Sequence, residues 1–219
     1  MPRLLFEKTG NAIWISHLDL MRVFQRAFKR AELPLTHTQG YNPRPSVSIA
    51  LPLSVGVESK CELLDFRLDD CEVSTDEIRS RLNDALTAGI HILDVYEEGR
   101  KIRELSLLRC LISMEYDEPY PAEAVAQLRK LFKEPSLYVQ KKTKNGVQEQ
   151  DIIPMIRKLE IMEADEKCIQ IDALICCQNP TLNPAQIVLS ILKYLPQLKP
   201  DFYRCSRIEI FDGNENVFR

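Results

Sequence analysis

The stretch "SHLDLMRVFQRAFKRAELPLTHTQGYNPRPSVSIALPL", residues 16–53, decides the fold, because two periodicities stand in it side by side. Leu20, Val23, Phe24, Ala27, Phe28 and Ala31 recur at helical spacing, whereas Val47, Ile49, Leu51 and Leu53 alternate with small or polar residues as one face of a strand does. Ser16 fits an N-cap. Its hydroxyl can accept from the Asp19 N–H, and the Asp19 carboxylate can reach back and complement the positive helix end. Ile15 and Leu20 flank that cap as a hydrophobic staple. The spacing predicts a helix from Ser16 to about Leu33, then a loop, then a strand over residues 47–53.

Working outward, residues 3–8 alternate around Leu4 and Phe6, and Leu64, Phe66 and Leu68 alternate after the "GVES" break at 56–59. "STDEIRSRLNDALTA", residues 74–88, opens on a Ser/Thr cap signal and keeps Ile78, Leu82 and Ala85 at helical spacing; "GIHILDVYEE", residues 89–98, reads as a strand. The order is βαββαβ, the ferredoxin-like unit. The second half repeats it: strand 107–116, helix 121–132, strand 136–143, an Asn145-Gly146 turn and a long connection, strand 167–176, helix 183–195 with Pro184 in its first turn, and strand 203–212. The chain therefore reads as α+β, two tandem ferredoxin-like (βαββαβ) domains with antiparallel sheets, spanning 1–101 and 102–219. One face of each sheet carries the helices. The other is expected to be partly open to solvent, the sister domain or a ligand.

The composition, 45% hydrophobic and 28% charged over 219 residues, is that of a globular chain able to bury its own core. Seven cysteines, an odd number, and an N-terminus "MPRLLFEKTG" without a secretory apolar run point to a cytoplasmic location and reduced thiols. No apolar run approaches the roughly 20 residues that span a bilayer, so no membrane partner is expected. The net charge of −3 hides an asymmetry: residues 1–60 hold eight Lys/Arg against four Asp/Glu, and residues 61–98 hold three against eleven. Such halves suit a polyanion-binding face beside a repelling one, or two patches that neutralise each other.

The outward side of the first helix carries Arg22, Gln25, Arg26, Lys29 and Arg30. Arg22, Arg26 and Arg30 recur every four residues, which stacks like charges with no acidic partner expected at the intervening turns. An RNA backbone would offset that repulsion, since guanidinium binds phosphate bidentately; a solvated basic face is the other reading. His17, in the first turn, is a candidate general acid or base, or simply a surface or cap residue. A helix from 17 to 33 is roughly 24 Å long, so His17 and His37 start at opposite ends and no metal site is expected.

In the loop "PLTHTQGYNPRP", residues 34–45, Gln39, Tyr41, Asn42 and Arg44 offer donors, acceptors and a ring on a proline-stiffened backbone. They are binding candidates, the alternative being a connection whose tyrosine packs on the helix. Lys141, Lys142 and Lys144 tip a β-hairpin, where they touch phosphate or keep an edge soluble. Phosphate-loop, dinucleotide, zinc-protease and serine-hydrolase signatures are absent, and no Cys-x-x-Cys or three-cysteine cluster could hold an iron–sulfur centre. No nucleophile–base pair can be assigned, so whether the chain is an enzyme stays open, with the balance against it.

"SHLDLMR" (16–22), "GYNPRP" (40–45) and "LPLSVGVES" (51–59), in that order, with the later "KKTKNG" and "DIIPMI", resemble the radical-SAM-linked proteins of unknown function. In that family a domain of this kind is fused to, or encoded beside, a cobalamin-binding radical SAM protein. The resemblance covers most of the chain. It implies a radical SAM protein as partner, which would hold the iron–sulfur cluster and SAM, with no cofactor in this chain, and it marks Ser16, His17, Asp19, Arg22, Gly40, Tyr41, Asn42, Pro43, Arg44 and Pro45. The tandem arrangement is also similar to the CRISPR repeat-processing endoribonucleases, but their glycine-rich loop after the last helix is missing from "LPQLKPDFYRCSR", residues 195–207. Three functions fit these residues: an accessory module that binds RNA or presents it to a radical SAM partner, an RNA-acting enzyme using His17, and a protein–protein adaptor for that partner.

Overall fold

Leu4 and Phe6 begin the core. They lie on β1 (Arg3–Lys8) with their side chains turned to one face, as alternation along a strand requires. The computed structural model describes residues 1–69, 72–143 and 146–219, which form two compact units: Met1–Glu104 with Val217–Arg219, and Leu105–Asn216.

In the first unit β1 is followed by α1 (His17–Arg30), β2 (Val47–Ile49), β3 (Glu58–Phe66), α2 (Thr75–Ala85) and β4 (Ile90–Tyr96). The strands pair antiparallel in the order β4-β1-β3-β2. Both helices open on a serine cap: Ser16 Oγ accepts from Asp19 N at 3.2 Å and Ser74 Oγ accepts from Glu77 N at 3.2 Å. Leu20, Phe24, Ala27 and Phe28 of α1 and Ile78 and Leu82 of α2 pack on Leu4, Phe6, Leu64, Phe66 and Ile92 of the sheet. Phe6 meets Phe24 edge-on at 4.8 Å and Phe28 meets Phe66 at 5.2 Å. Each such buried ring contributes about 2–3 kcal/mol of apolar burial. On the other side of β1 and β3, Arg3 grips Asp65 with two hydrogen bonds, 2.6 and 3.0 Å long. The guanidinium carbons of Arg3 and Arg100 lie 5.4 and 5.1 Å from the centre of the buried Phe218 ring, holding the C-terminal residues in this unit.

The strand expected over 47–53 is shorter than the alternation suggested, ending at Ile49. Pro52 has no N–H to extend the ladder, and Leu51 and Leu53 lie in the loop beyond.

The second unit runs β5 (Leu105–Glu115), α3 (Ala124–Leu131), β6 (Tyr138–Thr143), β7 (Gly146–Asp151), β8 (Ile156–Asp165), β9 (Cys168–Cys176), α4 (Pro184–Tyr194) and β10 (Phe202–Asp212). Its main sheet is antiparallel in the order β10-β5-β9-β8. The strand expected at 136–143 is not in that sheet: it is β6, paired with β7 in a hairpin. Its place beside β9 is taken by β8, "IRKLEIMEAD", which lies in the expected long connection. Five of those ten residues are charged and only Ile161 is fully buried, so the strand shows no clean alternation; charge of this kind suits a sheet edge. α4 opens on a capping box, Asn183 accepting from Ala185 N at 3.0 Å and Gln186 accepting from Asn183 N at 3.0 Å, with Pro184 at the first position. Among the described residues no helix is long and apolar enough to cross a membrane.

Candidate nucleic-acid interface

Arg22, Arg26 and Arg30 are all exposed, one helical turn apart on α1. Their bonds differ. Arg22 Nη1 donates to Asp19 Oδ1 at 2.8 Å, and Asp19 also accepts from Ser16 Oγ at 2.7 Å. The Ser16 hydroxyl first, and Arg22 second, hold the Asp19 carboxyl below the usual carboxylate range. The stripe thus has an acidic partner after all, the first-turn carboxylate of Asp19 three positions back. With side chains 67% and 57% exposed, that pair is worth little to stability and yields readily to a competing anion.

Arg30 Nη2 donates to the carbonyl of Ala85 at the end of α2, satisfying one of the acceptors that a helix terminus leaves over. Arg26 makes no hydrogen bond or ion pair among the described residues. On α2, Asp76 and Glu77 pair with Arg79 and Arg81 of their own helix. Those carboxylates are engaged locally, and α1 keeps its positive face.

His17 is the first residue of α1 and half-buried; its Nδ1 is enclosed and has no hydrogen-bond partner. A general base is normally oriented by a third group, and none does so here among the described residues. At the end of β1, Lys8 is 1% exposed, and its ammonium donates to the carbonyls of Ile13 at 3.1 Å and Ile15 at 2.8 Å. Burial pushes the Lys8 pKa down, and the negative charge of the buried Glu62 draws it part of the way back. Lys8 shares its parity on β1 with Leu4 and Phe6, which was the available signal that it points inward.

The loop after α1 is pinned at its arms. Thr38 N donates to Arg44 O at 2.8 Å, Arg44 N donates to Thr38 Oγ1 at 3.0 Å, and Ser46 N donates to Thr36 O at 2.8 Å. Between those arms Gln39, Gly40, Tyr41, Asn42 and Pro43 form an exposed tip, with Gly40 at φ +139, a conformation closed to other residues without strain. Tyr41 is wholly exposed instead of packing on the helix, and the Arg44 side chain is exposed as well. Below the tip, an open groove of about 610 Å³ is walled by Thr36, His37, Gln39, Ser46 and Arg67 among others. Arg67 is a cation that the motifs did not single out; it lies just past Phe66, on the opposite parity to the core.

In the second unit Lys141 Nζ donates to Thr181 O at 3.1 Å. The Lys142 side chain, Lys144 and the Asn145 half of the expected turn lie outside the described residues. Among the described residues no three His, Cys, Asp or Glu side chains gather as metal ligands do.

A family model described as an uncharacterized protein conserved in bacteria, DUF2344, matches residues 2–184. The chain belongs to that family. No curated protein matches it in sequence. Among solved structures it is similar to a chain of the crystal structure of a Cbf5-Nop10-Gar1 complex, with TM-score 0.53, 8% identity, and coverage of 95% of this chain and 48% of that one. It also matches the structure of an H/ACA RNP bound to a substrate RNA containing 2'-deoxyuridine, with TM-score 0.44, 10% identity, and coverage of 86% and 42%. The chain spans about half the length of these two. At 8% identity the first of these likenesses speaks to fold alone.

Proposed function

We propose that the chain is a cytoplasmic accessory protein that binds RNA, or presents it, beside a radical SAM protein that holds the iron–sulfur cluster and SAM. Each unit would be a ferredoxin-like domain, a reading supported by the strand orders β4-β1-β3-β2 and β10-β5-β9-β8. The observation that carries RNA binding is the pinned loop with Tyr41 wholly exposed at its tip and Arg44 at its exit, following directly on a helix whose outward side is Arg22, Arg26, Lys29 and Arg30. An aromatic ring held in water by a braced backbone serves as a stacking surface for an unpaired base, and arginines at one-turn spacing serve phosphates. The radical SAM partner rests on the motif resemblance of residues 16–59.

Fluorescence anisotropy of labelled tRNA and of a random RNA tests the reading. The wild type should bind both, and the variant with Arg22, Arg26 and Arg30 changed to Glu should not. Equal affinity of that variant and the wild type would remove α1 from the interface.

A further inference from the structure

The chain has one tryptophan, and it is not in the core: Trp14 is 64% exposed. Its backbone, by contrast, is held on both sides. The buried Lys8 ammonium donates to the carbonyls of Ile13 and Ile15, the residues flanking it, and Gly56 N donates to Ile13 O at 2.9 Å. The underside of the ring rests on Gly56, where a Cβ would lie 3.3 Å from Cζ3 and 3.7 Å from Cη2. Gly56 also has φ +81, so both its conformation and the closeness of the ring call for glycine. An indole whose six-membered ring is braced against Gly56 while most of its surface stays in water is preorganised for a planar partner. Leu18, 69% exposed, and Val55, 54% exposed, widen the apolar surface around this end of α1. Arg22 and Arg26 follow Leu18 at four-residue steps, about 6 Å each along the helix.

We infer that Trp14 is a stacking platform for an unpaired nucleobase of a single-stranded RNA whose phosphates run along Arg22 and Arg26. The inference rests on the RNA reading above and adds to it the strandedness of the ligand and a residue outside every motif singled out in the sequence. Charge decides between partners: an apolar patch continuing into a cationic helix face matches a polyanion with exposed rings better than it matches an apolar protein surface.

Because Trp14 is the sole tryptophan, its emission reports directly on the site. Titration of the full chain with single-stranded oligouridylate and with a blunt RNA duplex at low salt, alongside anisotropy of the same RNAs, tests the inference. Single strands should quench Trp14 emission. Trp14→Ala should weaken their binding roughly tenfold or more, Trp14→Phe should recover part of it, and the duplex should bind more weakly than the single strand. An exposed ring can be removed without unfolding the unit, which unchanged thermal melting of both variants would confirm. RNA binding with unchanged emission and full affinity in Trp14→Ala would overturn the role of Trp14 while leaving the RNA reading standing; that outcome would fit a ring used for docking a protein. A duplex that binds as tightly as the single strand would overturn the stacking role too. No RNA binding by the wild type would overturn both.

Discussion

Gly89 has φ +84, and a Cβ there would stand 2.4 Å from Thr9 O and 2.9 Å from Ala12 Cβ, while its own carbonyl accepts from Thr9 N at 2.7 Å. Gly89→Ala should therefore destabilise the first unit by about 2 kcal/mol or more, seen as a lower urea midpoint. Asp65 gives a second test at this scale. Arg3 is 2% exposed and Asp65 partners it bidentately, so Asp65→Ala leaves a buried guanidinium uncompensated and should cost about 3–5 kcal/mol; a loss under 1 kcal/mol would mean that water reaches Arg3. Parity on a strand was enough to point Leu4, Phe6 and Lys8 the same way. What a cation does once placed was not legible. Arg22 is engaged by the Asp19 carboxylate three residues back and Arg30 by a carbonyl 55 residues ahead, and only the folded chain separates both from Arg26.

α1 was the most legible element: Ser16 caps it as expected and Leu20, Phe24, Ala27 and Phe28 of the apolar stripe are buried, although the helix ends at Arg30 and not near Leu33. β8 was the least legible. A charged edge strand obeys the needs of an edge and not the alternation of a half-buried face, while β6, which has strand composition, pairs away from the main sheet. The loop at 34–46 was recognisable by its residues, but the exposure of Tyr41 depends on hydrogen bonds between Thr38 and Arg44 that no spacing rule supplies. On α1, the two arginine roles predict different outcomes for similar substitutions. Arg26→Ala should weaken RNA binding and leave thermal stability unchanged, whereas Arg30→Ala should lower both, because it also uncaps α2 at Ala85. Identical melting curves for the two variants would show that the Arg30 contact contributes nothing to the fold.

For the chain as a whole, buried thiols set the response to alkali. Burial pushes Cys110 and Cys177 up from 9.0 to about 12 and Cys205 up to about 11, and it raises Tyr116 from 10.0 to about 12. Groups whose folded pKa is raised contribute stability that is complete below their unfolded values and lost as pH climbs through the folded ones, because the unfolded chain sheds protons first. Lys8, lowered by burial, acts in the opposite sense below 10.5, as a single group against four. The urea midpoint measured under reducing conditions should therefore fall steadily above pH 9, and Cys110→Ala with Cys177→Ala should flatten that fall; a midpoint constant to pH 11 would contradict it. RNA binding by the cationic face of α1 is tested most directly by the salt dependence of affinity. A plot of log K against log salt for single-stranded RNA should be steeply negative, and Arg26→Gln should make it shallower by about 0.7, the share of one phosphate contact. A flat plot, or one that Arg26→Gln leaves unchanged, would mean that no phosphate sits on that arginine.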